Sequence, residues 1–483
     1  MCCVLGVIVL LGAASVTRAQ YPEDALRLAV PGMGVGARAL GMGNAYTGVA
    51  NDFSAIYWNP AGLVQAEHGE FFMGMSFLNN KNNGTLLSRD PLGNVTLLGS
   101  PSSYSTNATN LNALGIVYPV PARRGNLVLA FGYNRGSAFA SGLSFSGFNS
   151  KSTIIQYWAP DGKPYPPNES LAEKLALTDI DTVTGTFRGR IFGNLTQLGT
   201  VLESGGLNNW SVSGGVDMAK DLSAGITLTY MNGSYRYDRT YREQDNQRLH
   251  IAPYDLKQLT VNDFIDGEIN GVRAKFGLMY RVPEKFRLGF AIQTPSSFNV
   301  KEKYGSDATS QFYSVVKGQD TYGPIVDRGS NEYDVHTPWV FSAGASVLLR
   351  DLVLSGDVEY TDWTQLEFAK ANDDLIAMNK DFKTLFRGTL ALRAGAEYDI
   401  RQIGVRVRGG FMLNPSPFQG DPSSFDQKYM TGGLGFLLGE SAMLDLAYAR
   451  GWWKTYRINY SSASAAEEDI ATNSFLLTLV YRY

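Results

Sequence analysis

Six glycines stand between Gly32 and Gly48 in the stretch PGMGVGARALGMGNAYTGVANDFSAIYWNPAGL, residues 31–63. Within it, Gly34-Val-Gly36-Ala-Arg-Ala39 has the G-x-G-x-x-A spacing that lets a backbone approach a pyrophosphate. That chemistry needs a buried strand before the first glycine and a helix opening at the last. The preceding EDALRLAVPGM is charged and broken by Pro31, so dinucleotide binding is set aside. Other reactive residue types are scattered. His68, His250 and His336 have no metal-ligand spacing, and no G-x-S-x-G elbow occurs. Cys2 and Cys3 are the only cysteines and precede an apolar run, Val4–Val16. No enzyme site, no metal and no cofactor are therefore expected. A net charge of −3 implies no nucleic-acid partner.

Ionisable side chains at alternating positions are the second set of candidates. Asp357 and Glu359 share one face of a segment, Arg393 and Glu397 one face of the next. Arg406 and Arg408 follow, then Asp445. Elsewhere Arg273, Lys275 and Arg287 alternate with apolar residues. Carboxylates and guanidinium groups so arranged suit a paired network; an unpaired cation suits a ligand carboxylate. Which applies depends on the elements that carry them.

Composition narrows those elements. Charged residues make up 18%, below the ~25% usual for soluble chains, and glycine and aromatic residues are abundant. No apolar run reaches the ~18 residues of a membrane-spanning helix. Charge-poor, aromatic-rich and without such a helix, the chain fits a transmembrane β-barrel. Residues 1–19 read as a signal peptide, with Val4–Val16 as apolar core and Thr17-Arg18-Ala19 as cleavage site, although no basic residue precedes the core.

Fourteen period-two segments are predicted, near 69–78, 110–119, 126–142, 207–218, 222–237, 269–282, 286–297, 338–348, 352–362, 388–400, 403–413, 430–438, 442–452 and 473–483. In GVRAKFGLMY, Val272, Ala274, Phe276, Leu278 and Tyr280 face one way, and Arg273, Lys275 and Gly277 the other. A soluble sandwich would show the same alternation. Connection lengths decide: short turns alternate with long loops, as in outer-membrane barrels with an even strand count. A closed barrel also leaves no open sheet edge in lipid. Charge facing lipid costs ~2–4 kcal/mol at the midplane, so the candidate carboxylates and cations should point inward. Of the long loops, 143–206 should start a short helix at Asn168 or Ser170, and 238–268 has apolar residues at helical spacing; both are expected to pack on themselves or to receive an apolar ligand. The last segment, SFLLTLVYRY, ends on an aromatic residue.

These features resemble the FadL/TodX (OMPP1) outer-membrane channels for long-chain fatty acids and other hydrophobic compounds. The resemblance runs from GARALGMGNAYTGVANDFSAIYWNPAGL through PEKFRLGFAIQTP, TPWVFSAGAS, DVEYTDWTQLEF, LRAGAEYDI and RVRGGFMLNPSPF to MLDLAYAR. It implies an all-β, 14-stranded antiparallel transmembrane β-barrel, 69–483, with residues 20–68 as a hatch inside the lumen. Asn59, Pro60 and Ala61 match the family's hatch motif. Gly32, Gly34, Gly36, Gly41 and Gly43 would let irregular backbone pass close to the wall. Tyr57 and Trp58 would seal the hatch, and Arg38 and Asp52 would join it to the charge network. The family's lateral exit, at a kink in the third strand, would fall in NRGSAFASG at Gly136 and Gly142. The expected partners are a hydrophobic ligand, fatty acid or hydrocarbon, and outer-membrane lipid, and the chain is expected to act as a monomer. The hatch stretch also resembles PorV-type proteins, which bind secreted cargo; that reading implies a protein partner on the loops.

Overall fold

The computed structural model describes residues 22–89, 94–122, 125–164, 170–252, 254–461 and 464–483. The expected signal peptide and Asn168 lie outside these residues.

The chain forms a closed 14-stranded antiparallel β-barrel. The strands are β1 (Glu70–Arg89), β2 (Ser102–Val120), β3 (Leu127–Ala138 and Ser141–Asn149), β4 (Leu195–Ala219), β5 (Leu222–Gln244), β6 (Leu256–Val282), β7 (Phe286–Gln293 and Ser297–Val316), β8 (Gln319–His336 and Val340–Leu349), β9 (Leu352–Asp362), β10 (Gly388–Ile400), β11 (Val405–Asn414), β12 (Gln427–Leu438), β13 (Ala442–Ser461) and β14 (Ser464–Arg482). Each pairs with its neighbours in sequence. Closure comes from β1 against β14, in register from Glu70↔Arg482 to Ser88↔Ser464.

The sidedness of the strands is inverted relative to a soluble sheet. On β6, Val272, Phe276, Leu278 and Tyr280 are exposed outward at 58%, 47%, 47% and 41%, while Arg273 and Lys275 turn into the lumen. An exposed apolar face is stable only against lipid, which settles the choice that alternation leaves open. Aromatic residues mark both borders of the belt: Tyr118, Tyr280, Tyr398 and Tyr481 near the short turns, Trp210, Tyr230, Trp339 and Tyr448 near the loops.

Beyond the belt, much of what the sequence reading left as loop is strand. β4, β5, β6, β7 and β8 run on well into the extracellular side. The segment LKQLTVNDFIDG is part of β6, not a helix. A register shift between Leu256 and Gln258 turns Leu256, Leu259 and Val261 into one core. That core also takes Leu175 and Leu177, next to the single helical turn Leu171–Lys174 capped by Ser170. The loops thus pack on themselves.

Residues 22–68 lie inside the barrel, against its inward-facing side chains. They form short helices, Pro22–Ala29, Ala37–Gly41 and Ala55–Trp58, and a 3-10 turn, Pro60–Gln65. Above them lies a helix that the sequence reading missed, Asp373–Leu385. Asn372 caps it by accepting the Leu375 N–H at 3.0 Å. Its Leu375, Met378 and Phe382 pack with Ala25 and Leu26 of the first helix and with Phe298 of β7.

Candidate functional site

The site is the contact between the amino-terminal segment and the wall. It starts with Asn59, which is fully buried. Its backbone is extended, as expected before proline, and Pro60 opens the 3-10 turn. Its side chain joins three strands of chain: Oδ1 accepts the Ala61 N–H at 3.2 Å, and Nδ2 donates to Thr47 O at 3.0 Å and to Leu278 O of β6 at 3.1 Å. Asn-Pro-Ala is thus a turn pinned both to its own segment and to the wall.

The wall presents mostly hydroxyl, amide and carboxylate groups to that backbone. Asp357 of β9 accepts the N–H groups of Tyr46 and Thr47 at 2.8 and 2.7 Å. Ser346 and Ser355 donate to Gly48 O and Ala45 O, and Thr227 to Ile56 O. Asn112 of β2 accepts from Gly36 N and donates to Gly34 O. Irregular backbone at membrane depth must find such partners, and here the wall supplies them.

Close approach is built mainly into the wall. A Cβ on Gly277 of β6 would sit 2.1 Å from Asn59 Oδ1, and one on Gly289 of β7 2.1 Å from Thr47 O. On Gly225 of β5 it would meet Pro60, on Gly132 of β3 the Phe53 ring, both at 2.4 Å, and on Gly410 of β11 the Gly43 N at 2.2 Å. The sequence reading singled out the glycines of the segment instead. Those have two distinct situations. Gly34, Gly36 and Gly43 have φ of 85°, 89° and 59°; Gly32 and Gly41 do not, but face Gly136 O and the Gly433 Cα at 2.5 and 3.2 Å from an added Cβ. Trp58 closes the segment on itself, donating to Val35 O at 3.0 Å; Tyr57 is the one that meets the wall.

The charged candidates separate into groups. Arg408, with no side-chain exposure, bridges Glu397 at 2.7 Å and Asp445 at 2.6 Å. Arg38 of the segment grips Glu397 through Nε and Nη2 at 2.8 and 2.7 Å. Two cations thus balance two carboxylates in one buried network, and it ties β10, β11 and β13 to the segment. Arg393 pairs with Glu359 at 2.8 Å. Three expectations need correction. Arg406 is not in the network; it sits nearer the short turns and pairs with Asp399 at 3.3 Å. Asp357 binds backbone N–H groups, not a cation. Asp52 accepts from Tyr46 Oη and Ser54 and meets no wall cation. Glu70, overlooked in the sequence, accepts the Phe53 N–H at 2.7 Å and pairs with Arg482 at 3.3 Å.

Arg273, Lys275 and Arg287 differ from these. Among the described residues, none has a carboxylate within ion-pair distance. Lys275 Nζ donates to Tyr57 O at 2.6 Å and lies 5.1 Å from the Tyr57 ring centre. Arg287 donates to Val49 O at 3.4 Å. No group of three or more His, Cys, Asp or Glu is placed to hold a metal ion among the described residues.

The wall is interrupted between β2 and β3. These strands pair only from Ala113↔Asn134 to Val120↔Leu127. Nearer the loops, the ladder partner of β2 is β1 and that of Ser141–Asn149 of β3 is β4, and Phe148 N donates to Leu98 O at 3.1 Å. β3 bulges between Arg135 and Ser137, and β4 answers with Gly205 and Gly206 at φ of 102° and 147°. Gly136 is thus at the bulge. Gly142 is not; it lies within the upper strand, against the Tyr104 ring. At the base of the break, Gly32 N donates to Gly136 O at 3.2 Å.

Solved structures share this architecture. A Pseudomonas aeruginosa FadL homologue aligns over 94% of this chain and 99% of its own, with a TM-score of 0.58 and 12% identity. The P. putida toluene transporter TodX aligns over 93% and 99%, with a TM-score of 0.54 and 12% identity. No curated protein matches by sequence. Nothing among the matches supports the secretion-adaptor reading. Residues 171–483 match the family described as outer membrane protein transport protein (OMPP1/FadL/TodX). The chain therefore belongs to that family of hydrophobic-compound transporters of the bacterial outer membrane.

Proposed function

We propose that the chain takes up hydrophobic molecules carrying a carboxylate, such as long-chain fatty acids, and that residues 20–68 act as its hatch. One observation carries the choice of ligand: Arg273 and Lys275 stand side by side in the lumen with no carboxylate in ion-pair distance among the described residues, and Lys275 holds the Tyr57 carbonyl of the hatch. A charge taken from water needs a partner, and a ligand carboxylate would supply it. Binding there would draw Lys275 from Tyr57 and so favour a second hatch arrangement. Burial of the acyl chain contributes ~0.8 kcal/mol per methylene, so a long chain outweighs any single polar contact.

Transport is passive, needs one copy of the chain, and leads from the loops through the lumen to the break between β2 and β3. Uptake of labelled oleate and of labelled toluene by cells carrying Arg273→Gln with Lys275→Gln tests the ligand. Oleate uptake should fall about ten-fold and toluene uptake should not; an equal response of both ligands refutes the assignment. Cysteines replacing Ala37 and Thr478, whose N and Oγ1 lie 2.9 Å apart, test the hatch. Oxidation should stop uptake and reduction restore it; unchanged uptake in the oxidised protein removes the moving hatch.

A further inference from the structure

The outer surface of β12, β13, β14 and β1 carries an apolar groove of about 470 Å³. Gly432 keeps its floor low, and the neighbouring outward position on β11 is also glycine, Gly409. Leu434, Leu446, Tyr448, Phe475 and Phe77 form the walls. The rings hold one another: Tyr448 and Phe475 are 4.8 Å apart between centres, Phe475 and Phe77 6.3 Å.

One step toward the extracellular side, the strand register aligns Arg450, Asn473, Asn79 and Asn107. Arg450 Nη1 and Tyr448 Oη both donate to Asn473 Oδ1 at 2.8 Å. Asn473 Nδ2 donates to Asn79 Oδ1 at 3.2 Å, and Asn79 Nδ2 to Asn107 Oδ1 at 2.8 Å. The row crosses four strands where the apolar belt ends, at head-group height. Arg450 uses one of its five N–H groups in this row and has no carboxylate in ion-pair distance among the described residues. Lys81, exposed one step higher on β1, is likewise outside any such pair. Lys428 stands at the same height on β12, donating to Ser423 O at 2.7 Å, and Asp469 and the Lys454–Glu467 pair are the next charges up.

Arg135 and Tyr133 share Asn208 Oδ1 in a similar way, at 2.7 and 2.9 Å, but there the guanidinium also spends Nη2 on Gly205 O at 2.7 Å. Here a shape for an acyl chain lies directly under a cation with spare donors. We propose that this groove binds one acyl chain of an anionic outer-leaflet lipid, whose phosphate-bearing head group is held by Arg450 and the asparagine row. Lipid tails are as apolar as the groove, so the tail contributes shape and packing only. Selection rests on the head group, through charge-assisted hydrogen bonds from the guanidinium.

Native mass spectrometry of the whole, delipidated barrel tests this, with diphosphoryl lipid A and a phosphatidylcholine as probes. The expected result is a one-to-one lipid A adduct, a phosphatidylcholine adduct about ten-fold weaker, and an about ten-fold loss of the lipid A adduct in Arg450→Gln. Gly432→Phe, which fills the groove from a position where an added Cβ meets only Arg408 O at 3.8 Å, should lose it as well. Arg450→Gln leaves every apolar contact in place and serves if the bulkier variant does not fold. Equal adducts for the two lipids, or full retention in Arg450→Gln, overturn the proposal. Displacement of lipid A by oleate also overturns it, by assigning the groove to the transported ligand.

Discussion

The Asp357 carboxylate on β9 accepts the backbone N–H of Thr47 at 2.7 Å, and the same oxygen takes the N–H of Tyr46 at 2.8 Å. One wall side chain thereby fixes a turn of the lumenal segment. Hydrogen bonds to a charged group contribute ~1.5–3 kcal/mol each. Asp357→Ala should free the turn while leaving the barrel closed. In planar bilayers it should raise single-channel conductance for small ions; a conductance equal to the parent's means that Asp357 does not restrain the segment.

Gly277 and Gly409 are both strand glycines, with opposite surroundings. A Cβ at Gly277 meets Asn59 Oδ1 at 2.1 Å, and one at Gly409 meets nothing within 4 Å. Gly277→Ala should displace the Asn-Pro-Ala turn and increase hydrogen exchange over 55–65. Gly409→Ala should match the parent. Equal exchange in the two variants contradicts the contact.

Arg408 carries two carboxylates at once. Replacing it with methionine leaves Glu397 and Asp445 buried, with Arg38 to share, and breaking such a buried pair costs ~3–5 kcal/mol. The variant should unfold at lower urea in detergent micelles than the parent. Adding Asp445→Asn should recover much of the loss, since Glu397 then keeps Arg38 as its counter-ion and the uncharged amide at position 445 needs none. A variant as stable as the parent would show that the network does not brace the lumen.

The extracellular side holds an ionic cluster around Asp179. Burial alone would raise the Asp179 carboxyl, but hydrogen bonds from Tyr254, Lys317 and Arg190 outweigh it and hold the group below its ordinary value. Arg190 lies at 3.0 Å and Lys317 at 3.2 Å. A depressed carboxyl stabilises the fold above its unfolded pKa, ~3.9, and that contribution vanishes as pH falls through the lower folded value. Hydrogen exchange over 179–190, corrected for intrinsic rate, should stay constant from neutral pH to about 5 and rise below about 4. Asp179→Asn should remove this pH dependence.

What the sequence made legible follows the lipid. Wherever a strand crosses the belt, lipid outside and polar lumen inside force strict alternation, so 352–362 and 388–400 coincide with β9 and β10 to the residue. Past the belt the outer face meets water and the alternation dissolves, so β6 was read only from 269 although it begins at Leu256. The charge network was visible as inward positions; its pairing was not. Arg406 and Arg408 share parity, and only their height in the barrel sends one to Asp399 and the other to Glu397 and Asp445. The helix Asp373–Leu385 did leave a signal: Asn372, two acidic residues in the first turn, then Leu375, Met378 and Phe382.

The glycines of the wall carry a consequence for assembly. Their empty positions are a mould whose relief is the outline of residues 22–68, spread over strands as distant in sequence as β3 and β11. That mould is complete only when β1 pairs with β14. The segment and the wall therefore reach their final fit together: neither surface has its complement until the cylinder is whole.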